Sequence, residues 1–157
     1  MIHPVPRILA AMLLPGAFAA GTITARDARV AAGPKTILHV VERHGTQTFI
    51  DSGKPGDSQG DVLAFANILY DGGNQKRVGR DQGACTRTIV GAAWECNWTA
   101  LLQKGQITVE GPFYDTGDSV LAVIGGTGVY NGARGRMTLH ARDAKGLSYD
   151  FVYTLEQ

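Results

Sequence analysis

The final stretch of the chain, Leu147 to Leu155, alternates almost without interruption. Leu147, Tyr149, Phe151, Tyr153 and Leu155 fall on one face, and Ser148, Asp150 and Thr154 on the other. A period of two is the signature of a strand with one buried face. The same period recurs upstream, where Ile107 and Val109 alternate with Thr108 and Glu110. Gly111-Pro112 is expected to end that strand, because proline has no N–H to give to a ladder. Ser119 to Ile124 is a short apolar run carrying Val120, Leu121, Val123 and Ile124. The glycines from Gly125 to Gly128 read as a turn, since glycine takes positive φ without strain. Gly132 and Gly135 flank Ala133-Arg134 before a strand over Arg136 to Arg142, with Met137, Leu139 and Ala141 inward.

The first half of the chain follows the same grammar. Thr36 to His44 reads as a strand of ambiguous parity, with Leu38, Val40 and Glu42 on one face and Ile37, His39 and Val41 on the other. Gly45 to Gly60 reads as a polar loop. A second strand covers Asp61 to Tyr70, with Leu63, Phe65, Asn67 and Leu69 sharing a face. Asp71 to Asn74 makes a turn, and Gln75 to Gly79 is polar and exposed. A third strand rises from Gly83 through Cys85 to Val90 and turns near Gly91-Ala92. The fourth runs from Trp94 to Leu102, with Trp94, Cys96, Trp98, Ala100 and Leu102 on one face. These segments predict an all-β protein, a single antiparallel barrel of about eight strands.

The chain has 157 residues. Residues 1–20 are outside this pattern. Arg7, the apolar run from Ile8 to Leu14 and the small residues around Ala17 to Ala20 form the pattern of a signal peptide. The run is shorter than the ~20 residues that span a bilayer. Residues 21–34 read as a flexible lead-in, and 35–157 as the barrel domain. The expected product is secreted or periplasmic, with no membrane attachment once the leader is cleaved. A formal charge of +1 without a basic stripe argues against nucleic acid as a partner.

Cys85 and Cys96 stand symmetrically about the Val90/Gly91 turn, so a tight hairpin places them opposite one another. Such a cross-strand spacing is within disulfide reach, and an exported protein permits the bond. Two free core thiols and a reactive pair are the competing readings. Two cysteines without neighbouring ligands and four scattered histidines give no metal site. No other cofactor is indicated. Gly126-Thr127-Gly128 is not followed by Gly-Lys-Ser/Thr and precedes a strand, which excludes a phosphate loop. Neither G-x-S-x-G nor H-E-x-x-H occurs. Asn97-Trp98-Thr99 matches an N-glycan acceptor but lies within a predicted strand.

Two blocks, Gly60 to Thr86 (GDVLAFANILYDGGNQKRVGRDQGACT) and Ile107 to Leu139 (ITVEGPFYDTGDSVLAVIGGTGVYNGARGRMTL), resemble plant allene oxide cyclases. The GGTG-x-Y-x-x-ARG portion also resembles dirigent proteins, which share that β-barrel superfamily. The resemblance implies a lumen lined by aromatics, an asparagine and a cysteine. It carries substrate contacts onto Phe65, Asn67, Cys85, Trp94 and Phe113. It also implies a homo-oligomer, in that family a trimer. The first strand departs from the family's Glu-x-Asn: Ile37 to Arg43 offers Glu42 as its only carboxylate, expected near the mouth of the lumen. Three functions are consistent with these residues. One is a cyclase or isomerase acting on an apolar oxygenated small molecule of the fatty-acid-epoxide kind, with Glu42 catalytic. The second is a non-catalytic dirigent-like guide or carrier of a small apolar ligand. The third is a barrel with a filled lumen and a structural or interaction role.

Overall fold

Eight strands follow one another around a closed antiparallel barrel, and β8 returns to pair with β1. The computed structural model describes residues 34–156. The strands are β1 (Lys35–Ile50), β2 (Val62–Asp71), β3 (Arg77–Ile89), β4 (Ala93–Leu102), β5 (Gly105–Tyr114), β6 (Ser119–Gly126), β7 (Arg134–Ala141) and β8 (Ser148–Glu156). One 3₁₀ turn, Gly128–Tyr130, bridges β6 and β7. The expected signal peptide, and the lead-in as far as residue 33, lie outside the described residues.

Closure leaves no sheet edge and gives every strand an inner and an outer row of side chains. The register fixes the inner row. Val40 faces Phe151, which faces Leu139, while Leu38 faces Tyr153, which faces Met137. Ala100 and Ile107 continue this packed layer from β4 and β5, with Leu69 and Leu121 from β2 and β6. Each large apolar side chain buried there contributes on the order of 1.5–3 kcal/mol. Val41, of the other parity, is buried too, which is why the first strand looked apolar on both faces.

β6 runs on to Gly126, into the expected turn, and β7 begins at Arg134, but three boundaries differ most from the sequence expectation. β1 does not stop at His44; it passes through a register shift between Arg43 and Thr46 and continues to Ile50. A bulge of this kind bends a strand and re-aims its side chains. β5 continues through Gly111 and Pro112 to Tyr114, with Pro112 opposite Glu95 of β4. The register with β6 is confined to Ile107–Glu110, so the prolyl nitrogen interrupts no β5–β6 bond. β3 begins at Arg77, well before Gly83, which adds Asp81 to its inner row. At the far end of β7, Ala141 is exposed rather than inward.

Candidate functional site

A cavity of about 320 Å³ occupies one end of the barrel. Its wall is aromatic. The Phe65 and Trp98 rings meet edge-on at 6.0 Å, Trp98 and Phe151 lie 5.6 Å apart, and Phe113 and Tyr149 meet edge-on at 5.9 Å. Offset and edge contacts of this kind fix ring orientation as well as burying area. Trp98 can lie across the sheet because Gly83, opposite it on β3, has no side chain. A Cβ on Gly83 would collide with the Trp98 Cβ and the Asn97 carbonyl. Cys85 and Cys96, directly opposed across β3 and β4, are joined in a disulfide that forms part of the wall. His44, Gln47 and the turn Lys145 to Leu147 complete the lining.

The polar groups concentrate at the inner end, where the cavity meets the packed layer. Glu42 is 5% exposed, Asn67 9% and Asp81 0%. The Asn67 side-chain amide donates to Glu42 Oε1 at 2.5 Å. Its oxygen accepts the Gly45 N–H at 2.8 Å, a contact the β1 bulge makes possible. The Asn67 main-chain N–H donates to Asp81 Oδ1 at 3.2 Å. Asn67 thus ties β1, β2 and β3 together at one point. Burial holds the Glu42 carboxyl well above its ordinary value, and the charge of nearby Asp81 raises it further. Burial pushes Asp81 up to about 6. Removing a carboxyl from water penalises its ionised form, and a like charge adds to the penalty. The Tyr153 phenol behind them is fully buried and raised as well. A protonated carboxylic acid in a greasy cavity can give a proton to a bound ligand and take one back.

Glu42, Phe65, Asn67, Cys85 and Phe113 all line this cavity. Glu42 differs from expectation in depth: it lies at the inner end and not at the mouth. Its neighbour Arg43 points away, bonding to the Asn74 side chain at 2.8 Å and stacking 4.0 Å over Tyr70. Trp94 has the expected inward parity but does not line the cavity. It packs against Phe49 at 6.0 Å, lies under the Arg87 guanidinium at 4.0 Å and donates to Asp115 at 3.2 Å. Arg87 also pairs with Asp57 and Asp115, so Trp94 belongs to a polar clamp across the loops at the barrel rim. The alternation placed Trp98, Tyr149 and Phe151 inward without marking them as site residues. Asp81 went unnoticed, although it shares parity with Gly83 and Cys85.

A closed eight-stranded antiparallel barrel with a lumen of about 320 Å³ and an acidic inner end places the chain in the class of up-and-down β-barrels with an internal cavity. Within that class, the chain belongs to the allene oxide cyclase family, whose sequence model matches residues 37–153. A solved pyocyanin demethylase is 28% identical, with a TM-score of 0.66, covering 75% of this chain and 100% of that one. A pterocarpan synthase dirigent protein is 19% identical (TM-score 0.62; 80% of this chain, 96% of that one). An exo-specific intermolecular Diels–Alderase is 16% identical (TM-score 0.64; 80% and 100%). The last two show the shared fold alone.

Proposed function

We propose that this protein is an enzyme that rearranges an apolar, conjugated, oxygen-bearing small molecule inside its lumen, by a redox-neutral cyclisation or isomerisation. The observation that carries the reading is Glu42, a carboxyl that burial holds well above its ordinary value at the inner end of an aromatic cavity. The aromatic wall folds and orients the substrate and excludes water, which turns positioning into rate. Glu42 donates its proton to the substrate oxygen as the bond there breaks or shifts. The resulting carboxylate accepts a proton released elsewhere on the rearranged substrate, so proton count and oxidation state are unchanged. Family membership supports cyclase chemistry, and the likeness to a solved pyocyanin demethylase supports a small-molecule substrate.

The test is a panel of fatty-acid epoxides, conjugated polyenes and N-methylated phenazines, with binding followed by quenching of Trp98 fluorescence and turnover by mass spectrometry. Glu42→Gln keeps the shape and loses the proton. Turnover should fall by roughly 10²–10⁴-fold while affinity changes only a few-fold. Binding without turnover in either form of the protein would favour the guide or carrier. No binding across the panel would count against a ligand-binding lumen.

A further inference from the structure

Two carboxyl groups face each other at the inner end of the cavity, and no described cation pairs with either. Glu42 and Asp81 are 5% and 0% exposed, on adjacent inner rows either side of Asn67. The N–H donors account for half of their oxygens: Asn67 Nδ2 serves Glu42 Oε1, and the Asn67 main chain serves Asp81 Oδ1. Asp81 Oδ2 is buried with no N–H or O–H donor among the described residues. The Asp81 side chain as a whole interacts with the Glu42 carboxyl, by charge and by a side-chain hydrogen bond. Two carboxylates cannot bond each other, since both are acceptors only; one must bring a proton. A doubly ionised, unpaired, buried couple is prohibitively costly.

We infer that Glu42 and Asp81 hold one proton between them, with Asp81 the positioning residue that keeps Glu42 loaded for transfer into the cavity. This deepens the reading of Glu42 given above and rests on it for its catalytic meaning. Glu42 lines the cavity and Asp81 does not. Burial and the charge of Asp81 favour the protonated form of Glu42, the residue that meets the ligand, with the Asp81 carboxylate behind as its acceptor. When Glu42 gives its proton to the substrate oxygen, the proton that the rearranged substrate releases returns to Glu42, and the pair again holds one. Few other titrating groups face the couple. They are Tyr149 and Tyr153 of β8, Tyr130 of the 3₁₀ turn beyond Tyr153, and His44 and Lys145 of the cavity lining. Trp98 and Asn67 face it as neutral polar groups, and the inner rows of β5, β6 and β7 are apolar: Ile107 and Val109, Leu121 and Val123, Met137 and Leu139.

The experiment follows side-chain carboxyl ¹³C resonances in ligand-free protein from about pH 4 to about pH 9. Glu42 should titrate above every other glutamate. Asp81→Asn should shift that transition down by about one unit or more, because the neighbouring charge is gone. Reciprocally, Glu42→Gln should move the Asp81 transition. If Asp81→Asn fails to fold, the reciprocal variant and the native titration still decide the question. Independent transitions at ordinary carboxyl values, or a Glu42 transition unmoved by Asp81→Asn, would overturn the shared proton. None of these readouts needs a substrate, so a failure of the catalytic reading would show separately, as absent turnover above an intact titration.

Discussion

Glu42 and Asp81 each bind protons more tightly in the folded protein than in the unfolded chain, and stability must record the difference. Their folded values lie above 4.5 and 3.8 respectively, with Asp81 at about 6. Between about pH 4 and 6, and onward until Glu42 ionises, the native state therefore carries more protons than the unfolded state. Stability falls as pH rises through that window. Asp61, Asp71 and Asp143 are held low, chiefly by backbone N–H donors, and lose their contribution only as pH falls below the ordinary carboxylate range. His140, raised by Asp118, acts in the same direction as the pair, but it is exposed and screened by salt. At about 0.5 M salt, where the Debye length is roughly 4 Å, melting temperature should be higher at pH 5 than at pH 8. Glu42→Gln should flatten most of that slope. A slope preserved in the variant would place the proton uptake elsewhere.

At the scale of elements, Gly83 sets the inner architecture, because only a bare Cα lets Trp98 cross β3 and close the cavity with Phe65 and Phe151. Gly83→Ala should destabilise the barrel by about 1–3 kcal/mol by overpacking, measured by urea unfolding. It should also weaken ligand binding more than Thr108→Ala, whose hydroxyl meets Thr99 away from the lumen. Equal effects on binding would mean that Trp98 does not shape the site. Strand parity made β8 and β4 legible, since a strict period of two needs only a regular ladder. β1 was half legible, because the Arg43–Thr46 bulge breaks the period at the residues that reach Asn67. Asp81 was hidden by the rule that carboxylates face water, and by the polar residues preceding it. Trp94 shows the opposite limit: parity gives the face of a strand but not the depth along the barrel at which the lumen ends.

For the whole molecule, the disulfide and the leader-like segment bear on one question, the compartment in which the barrel works. Cys85–Cys96 closes a short loop, with a sequence separation of 11. Chain-entropy reasoning gives it about 3 kcal/mol, a substantial share of a small domain's stability. Such bonds persist in oxidising compartments and are uncommon in the cytosol. We propose that the segment from Arg7 to Ala20 directs export and that the barrel matures outside the cytoplasm. Intact mass of protein recovered from its host should show loss of about the first 20 residues and the 2 Da deficit of one disulfide. Reduction should lower the melting temperature by roughly 10 °C. Because both cysteines line the cavity, reduction should also loosen ligand binding, whereas a bond remote from the site would change stability alone. A full-length chain with two alkylatable thiols would refute export and bond together. A cleaved chain whose binding survives reduction would keep the export and remove the disulfide from the site.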